Sequence, residues 1–427
     1  MELCNVLVYL LDNIAILKKT RMANDNPLKV AIMLGPHFVR MAGSFGFMKA
    51  YFNDYLKGSL PKPHNLTTVS SGSVVGLVTS PFTQNAFNNA EKRLLNLKGS
   101  QFFSLNSDLI FWGGIEALGP LMLFVPWEKI DNTMVRNAVK GLGVAALEGF
   151  EYKLIDRLWA ANGIFSNERL RKLLLEMLSD KDFQDIFNSE IKLDIVSANI
   201  TGDEIRDLNV APHVTTNYKP EHKDKQVIVE GVLRSTSITG FFPTTKNPGG
   251  NFTTDGGIYS AFPIEIPDRH GCNVIIVVQL SYEGQGYLEH DYTKWMSALH
   301  RSFDVLVDNN TTRVLRGYAS VNNDLEQIRS LESSIEGLEL IAGQADYSFR
   351  VAINNEIDRM RESIENLTAY GKRSFNLVIV RSRRKIPEFN FRGKNFDKYM
   401  GLSIEIGQEA CEDAKPEIYR AIERVGG

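Results

Sequence analysis

Two short segments of the chain carry residues that could perform nucleophilic catalysis. Ser73 lies in TTVSSGSVVGLV, where a strand-like run gives way to a helix-like run. A serine in such a turn lies at the end of a sheet and beside the N-terminus of the next helix, where backbone N–H groups and the helix dipole favour a developing negative charge. Small residues are also common in such turns for purely structural reasons, so Ser73 needs a second residue before it indicates an enzyme.

Asp255 is a candidate for that second residue. It precedes Gly256 and Gly257 in NFTTDGGIYSAFPIEIP, and paired glycines allow a tight turn and the close approach of another chain segment. An aspartate held there could accept the proton of a serine hydroxyl if partial burial raises its pKa towards neutrality. The alternative is that Asp255 only caps a turn, which is a common role of aspartate before glycine.

The composition limits the kinds of protein that can contain these residues. The chain has 427 residues, 43% of them hydrophobic, and a formal net charge of −3. This charge gives no electrostatic basis for binding nucleic acid. Three widely separated cysteines, Cys4, Cys272 and Cys411, predict neither a disulfide framework nor a zinc site and favour a reducing compartment. The chain has no P-loop or GxGxxG run, and we expect no metal or other cofactor.

The apolar run from Leu3 to Leu17 allows three interpretations. It is short for a membrane span, which needs roughly 20 residues, and Glu2 precedes it where a secretory signal would carry positive charge. The run is a packed helix, an extension ahead of a start at Met22, or an amphipathic helix on a membrane surface. We therefore expect a cytoplasmic protein, with peripheral membrane contact as the open alternative.

Strand-like and helix-like segments alternate along most of the chain. Residues 45–57 and 74–82 predict helices, and residues 85–190 are mainly helical in pattern. Apolar or β-branched runs predict buried strands, namely KVAIML, LTTVSS, IKLDIVSANI, QVIVEGVLRS and NVIIVVQL, with FNLVIVRS and a helix from about Leu402 near the end. This alternation predicts an α/β fold in three layers, with a mainly parallel central sheet and helices on both faces.

Residues 322–370 predict a helical hairpin inserted into this core. The stretch between Gly337 and Gly343 is expected to form its bend. Both stripes could pack on the main body, or they could form a lipid-facing cap or a partner surface. Apolar residues recur at intervals of three and four in two stripes, Leu325, Ile328, Leu331, Ile335 and Leu338, then Ile353, Ile357, Met360, Ile364 and Leu367.

Five segments, taken in order, resemble the patatin-like phospholipases, a family of lipid acyl hydrolases. Residues 233–267 are similar to the family segment that runs from a helix rich in small residues, through an aromatic-proline turn, to an Asp-Gly-Gly motif. SSGSVVG occupies the place of the family's nucleophile turn. The other similar segments are the first strand, loop and helix (30–51), an intervening helix (162–178) and a third-strand region (191–209).

The resemblance implies a Ser-Asp dyad without a histidine base. Ser73 is then the nucleophile that attacks an ester carbonyl, and Asp255 is the base that takes its proton and later activates water. The family's glycine-rich loop, whose backbone amides receive the oxyanion, maps onto His37, Phe38, Val39 and Arg40. Gly72, Gly256 and Gly257 are expected to support the two turns.

Two departures from the family's motifs bear on activity. The Gly-x-Ser-x-Gly frame centred on Ser73 begins at Ser71 and ends at Val75, so both framing glycines are replaced. Pro36, His37 and Phe38 stand in place of the loop's triple glycine, and proline has no N–H to donate. Losing one oxyanion donor costs on the order of a hundredfold in rate.

These observations predict an extension or helix at 1–27, a patatin-like core at 28–285, a helical insertion or cap at 286–373, and a strand and helix at 374–427 that complete the core. The predicted function is hydrolysis of lipid carboxylic esters through a Ser-Asp dyad and an acyl-enzyme. The alternative is a catalytically impaired member of the family that binds lipid or serves in assembly.

Overall fold

Most of the predicted strands join one central sheet. A computed structural model describes residues 27–36, 41–96, 104–105, 165–201, 211–239, 242–282, 295–367, 376–386 and 396–426. The strands in these ranges are β1 Val30–Leu34, β2 Asn65–Val69, β3 Ser104–Leu105, β4 Phe165–Ser166, β5 Lys192–Asn199, β6 Ala211–Thr216, β7 Thr245–Lys246, β8 Phe252–Asp255, β9 Val274–Tyr282 and β10 Asn376–Ser382.

Helices account for most of the remaining described chain. They are α1 Met41–Leu56, α2 Ser71–Thr79, α3 Gln84–Leu95, α4 Glu168–Met177, α5 Asp180–Phe187, α6 Lys225–Ser235, α7 Glu265–Arg269, α8 Trp295–Gln344, α9 Tyr347–Glu365 and α10 Phe396–Gly426. No helix in the described ranges is long and apolar enough to cross a membrane.

The sheet runs in the order β10-β9-β1-β2-β5-β8-β7, with β6 also paired to β5. The first five strands of this order are parallel, and β6, β7 and β8 form antiparallel pairs. Successive residues of β1 face opposite sides of the sheet. Ile32 packs among the helices on one face, and Met33 packs with Phe262 and with residues of α8 on the other. The prediction of a mainly parallel sheet covered on both faces is confirmed.

The segment QVIVEGVLRS is a helix, and its prediction as a strand is wrong. It forms most of α6, whose N-cap Asp224 accepts hydrogen bonds from the backbone N–H groups of Gln226 and Val227. Its buried apolar residues are spaced as one helical face, at Ile228, Val229, Val232 and Leu233. The β-branched composition suggested a strand, but capping and tertiary burial outweigh propensity here.

Other boundaries also differ from the prediction. Helix α2 begins at Ser71, three residues before the predicted start at Val74, and α10 begins at Phe396 rather than near Leu402. The bend of the hairpin lies after Gln344, so Gly337 and Gly343 are helical rather than part of the turn. Asp346 caps the second helix by accepting from the N–H of Phe349 at 2.9 Å, which fixes the bend three residues beyond Gly343.

The two apolar stripes of the hairpin pack against each other. Ile328, Ile335, Ile353 and Ile357 belong to one cluster that, among the described residues, is formed by α8, α9 and the residues directly adjoining them. Val314 and Tyr318, nearer the start of α8, pack instead on the core beside β9. The hairpin is therefore attached at its base, and its distal part is a two-helix arm.

Helices α1 and α10 cross so closely that glycine is required at the contact. A Cβ at Gly407 would lie 1.9 Å from the carbonyl oxygen of Gly43, and a Cβ at Gly46 would lie 2.0 Å from that of Ile404. These neighbours are backbone atoms, so the helices themselves would have to separate. The contact fixes α10 over the face of the sheet that carries α1.

We expect Gly407→Ala to destabilise the protein by about 1–3 kcal/mol, because overpacking outweighs the gain in helix propensity. Gly401→Ala in the same helix is the matched control: its Cβ would lie 3.9 Å from the nearest atom, a Leu95 side-chain carbon. There we expect stabilisation of about 0.5–1 kcal/mol. Urea unfolding midpoints measure both changes, and a midpoint for Gly407→Ala at or above that of the wild type would contradict the close crossing.

Some predicted features lie outside the described residues. They are the N-terminal run, the loop at 37–40 and the helical pattern at 106–164.

Candidate active site

The strand register brings the ends of β2 and β8 together along one edge of β5. Val196 of β5 pairs with Val69 of β2 on one side and with Val214 of β6 on the other. The next residue, Ser197, pairs with β6 and with Asp255 of β8. Because β6 occupies one edge of β5 throughout, β8 must continue the edge that β2 leaves. The residue after Val69 therefore faces the end of β8.

Ser70 is the residue that follows Val69, and its backbone is strained. It has φ 53° and ψ −129° and forms the junction between β2 and α2. A non-glycine residue in such a conformation costs on the order of 1–3 kcal/mol, and conformations of this kind concentrate at functional sites. A serine in a strained strand-to-helix turn is the geometry of a nucleophile elbow. Helix α2 begins at the next residue, so its positive end adjoins Ser70.

Close packing around this turn depends on two glycines of α2. A Cβ at Gly72 would lie 2.3 Å from the carbonyl oxygen of Leu34 at the end of β1. A Cβ at Gly76 would lie 2.3 Å from the Cγ2 methyl of Thr68. Gly72 therefore lets the end of β1 approach the turn at Ser70, and Gly76 leaves space for the side chain of Thr68, two residues before Ser70.

Asp255 has the environment of a catalytic base. It is 5% exposed, and burial raises the pKa of its carboxyl to about 6, while hydrogen bonds from the Ser70 hydroxyl and the Gly257 amide act to lower it. The Gly257 N–H donates to Oδ1 at 2.8 Å. Among the described residues, Oδ2 has no partner that meets the distance and angle of a hydrogen bond. The contact between the Ser70 hydroxyl and Asp255 is therefore longer or less well aligned than an ideal hydrogen bond, as is common for catalytic groups without substrate.

Ser73 lies one turn into α2 and has a different partner. Its Oγ is 2.8 Å from the Oγ of Ser235 on α6, and its side chain is fully buried. Its backbone N–H donates to the carbonyl of Ser70 at 2.8 Å. Ser73 is not among the groups that shift the pKa of Asp255.

The end of β1 lies beside both turns. A Cβ at Gly257 would lie 3.5 Å from Cγ of Pro36, and a Cβ at Gly72 would lie 2.9 Å from the carbonyl oxygen of Gly35. A Cβ at Gly256 would lie 2.2 Å from the carbonyl oxygen of Val196. Pro36, the last described residue before 37–40, therefore lies beside Gly257, two residues after Asp255. The predicted oxyanion residues His37, Phe38, Val39 and Arg40 lie outside the described residues.

A second buried carboxylate belongs to the framework. Asp194 of β5 accepts hydrogen bonds from Asn65 at 2.6 Å and Tyr218 at 2.9 Å, and its Oδ2 lies 2.8 Å from Nε2 of His270. These contacts join β2, β5 and the turn after α7. No set of three or more His, Cys, Asp or Glu side chains suited to a metal ion occurs in the described ranges.

A model of the patatin-like phospholipase family matches residues 38–268, which is more than half of the chain. The chain belongs to this family. No curated protein matches it significantly. Among solved structures, VipD from Legionella pneumophila is similar over 91% of this chain and 67% of its own, at 13% identity and a TM-score of 0.31. That TM-score is too low to support any inference from VipD.

The geometry of this patatin-like phospholipase suggests a different frame for its nucleophile turn. With Ser70 at the centre, the family's Gly-x-Ser-x-Gly frame starts at Thr68 and ends at Gly72, so its second glycine is retained. Thr68 stands where the family has its first glycine, and the absence of a Cβ at Gly76 leaves room for the Thr68 side chain. The sequence analysis predicted Ser73 as the nucleophile; Gly72, two residues after Ser70, is the sequence feature that fits the alternative frame.

Proposed function

We propose that this protein hydrolyses lipid carboxylic esters through an acyl-enzyme, with Ser70 as the nucleophile and Asp255 as the base. Membership of the patatin-like phospholipases supports lipid ester hydrolysis in general. The observation that supports the residue assignment is the strained turn at Ser70. The Ser70 hydroxyl contacts the buried carboxyl of Asp255, whose pKa burial raises to about 6. Ser73 was the expected nucleophile, but its hydroxyl is engaged with Ser235.

In the proposed mechanism, Ser70 Oγ attacks the ester carbonyl carbon while its proton passes to Asp255. The tetrahedral intermediate collapses, the ester C–O bond breaks, and Asp255 returns the proton to the leaving alcohol. A water molecule then gives its proton to Asp255 and attacks the acyl group. When the second tetrahedral intermediate collapses, the bond between the acyl carbon and Ser70 Oγ breaks, Asp255 returns the proton to Ser70 Oγ, and the fatty acid leaves.

The oxyanion of each intermediate needs backbone donors near Ser70. The N-terminal end of α2 is one source of favourable dipole. We propose that the amides of His37, Phe38 and Val39 supply the others, since their loop leaves β1 beside Gly257 and Gly72. Replacement of the family's triple glycine in this loop makes a slow enzyme the expected outcome.

The tip of the α8–α9 arm is the part of the described surface that we propose to contact lipid. Five large apolar side chains within 12 residues are exposed there: Leu340 56%, Ile341 41%, Tyr347 83%, Phe349 59% and Val351 43%. The one basic residue among them, Arg350, donates to the carbonyls of Ala342 and Ala345. A cluster of this kind is typical of a binding surface, and aromatic side chains favour the membrane–water interface.

We expect the double change Tyr347→Asp and Phe349→Asp to lower binding to phosphatidylcholine vesicles by roughly tenfold or more, because two apolar side chains no longer enter the bilayer. The matched control is Leu56→Asp on α1, which is 57% exposed on the body of the protein. Vesicle co-sedimentation measures the effect. Equal binding by the double variant and the wild type would remove the tip from the proposed lipid contact.

The proposed activity is tested by incubating the protein with a fluorophosphonate probe and with short-chain p-nitrophenyl esters. Irreversible labelling together with ester turnover supports the enzyme. A folded, monodisperse protein that neither labels nor turns over substrate would instead support the non-catalytic alternative, in which the fold serves lipid binding or assembly.

A further inference from the structure

The hydroxyl of Ser235 joins three elements of the site. Its Oγ donates to the carbonyl of Val196 at 2.5 Å and accepts from the backbone N–H of Ser70 at 2.9 Å. A serine hydroxyl has one proton and can accept two hydrogen bonds. Because the Ser235 hydroxyl uses its one proton to donate to Val196, it must accept from the Ser73 hydroxyl, whose Oγ lies 2.8 Å from the Oγ of Ser235. Ser235 is fully buried, and its hydrogen-bonding capacity is filled.

The segment at the end of α6 also holds the other half of the dyad. The carbonyl of Ser237 accepts from the backbone N–H of Asp255 at 2.9 Å and from the Thr254 hydroxyl at 2.7 Å. Two residues of one short segment therefore fix the backbones of both Ser70 and Asp255. The carbonyl oxygen of Val196, which accepts the hydrogen bond from Ser235, is also the atom against which Gly256 packs.

The Ser70 conformation needs such a restraint. A non-glycine residue with φ 53° is strained, and the hydrogen bond that the Ser70 N–H donates to the buried Ser235 hydroxyl opposes relaxation of the turn. The Ser73 hydroxyl, donating to the same acceptor from the first turn of α2, ties the helix to it.

We propose that Ser235 is a positioning residue of the dyad, whose hydroxyl holds the backbone of the nucleophile turn at the distance from Asp255 that proton transfer requires. This proposal rests on the assignment of Ser70 and Asp255 made above. In this proposal Ser73 donates a hydrogen bond to Ser235 and is not the nucleophile.

The test compares Ser235→Ala, Ser235→Thr and Thr236→Ala with the wild type. Ser235→Ala removes all three hydrogen bonds and is expected to lower kcat by about a hundredfold with KM changed less than about threefold, since misplacement of the reacting groups affects the chemical step. Ser235→Thr keeps the hydroxyl and should recover much of the loss. Thr236→Ala is the matched control, because within the described residues the Thr236 hydroxyl donates to carbonyls of its own helix, those of Val232 and Leu233.

Hydrogen exchange of residues 66–76 provides a readout that does not depend on activity. We expect faster exchange in Ser235→Ala than in the wild type or Thr236→Ala, because the Ser70 amide loses its acceptor. Unchanged exchange, or an unchanged kcat for folded Ser235→Ala, would overturn the positioning role. Ser70→Ala is assayed alongside: if it keeps the activity, the proposed nucleophile fails, and hydrogen exchange alone then decides whether Ser235 holds the turn.

Discussion

Replacing Ser70 with alanine is expected to abolish fluorophosphonate labelling and to lower ester hydrolysis by about a thousandfold or more, because the change removes the hydroxyl that forms the acyl-enzyme in the proposed mechanism. Replacing Ser73 is expected to lower the rate by less than about tenfold, since that change removes one of three hydrogen bonds to Ser235 and leaves the nucleophile in place. Labelling rates and p-nitrophenyl ester turnover measure both effects.

Two further variants sharpen this comparison. Ser71→Ala distinguishes the third serine of the turn, and tandem mass spectrometry of the labelled peptide locates the adduct. Ser70→Gly should be inactive yet more stable than Ser70→Ala by on the order of 1 kcal/mol, because glycine adopts a positive φ without strain. Retention of labelling in Ser70→Ala, with its loss in Ser73→Ala, would return the nucleophile to Ser73.

The sequence predicts the parallel part of the sheet because those strands are buried on both faces. The runs at β1 and β9 are continuous and apolar over most of their length, those at β5 and β10 contain shorter apolar stretches, and each is a strand in the structure. QVIVEGVLRS has a similar composition but is helix α6, since its neighbours cap it and bury one helical face. Composition alone therefore separates buried strands from buried helices poorly.

The site shows the same limit at finer scale. Asp255 is predicted as the base because two glycines follow it directly, a local signal that can be read without the fold. The strained turn lies at Ser70, three residues before the predicted nucleophile Ser73, because the start of α2 is set by contacts distant in sequence. Gly72 must meet Leu34 of β1, and the Ser70 amide must meet Ser235 of α6. The oxyanion assignment at 37–40 stays a prediction.

Asp255→Asn is expected to lower acylation by about a hundredfold to ten-thousandfold, because asparagine cannot accept the serine proton. In the wild type the ionised carboxylate is the active form, and burial raises its pKa to about 6. The kcat/KM should therefore rise as pH passes through about 6 and level off above it. A profile that is flat between pH 5 and 7 would contradict the assignment of Asp255 as the base.

The same raised pKa predicts how stability depends on pH. The folded protein binds a proton at Asp255 more tightly than the unfolded chain, whose aspartate has the ordinary pKa of 3.8. The free energy of unfolding should fall as pH rises from about 4 to 6, and above 6 the buried charge should cost up to about 3 kcal/mol. Asp255→Asn removes that cost, so the variant should be more stable than the wild type at neutral pH and nearly equal to it near pH 4.

Asp194→Asn is the matched control for this pH dependence, because Asp194 is another strand aspartate, 1% exposed. Asn65 and Tyr218 donate to its carboxylate, and His270 lies within hydrogen-bonding distance. Its replacement weakens charge-assisted hydrogen bonds and should destabilise the protein at neutral pH. Opposite signs for the two variants in urea unfolding would show that the Asp255 charge is held in the folded protein at an energetic cost, as expected of a buried base. Equal destabilisation would mean that Asp255 is a structural residue.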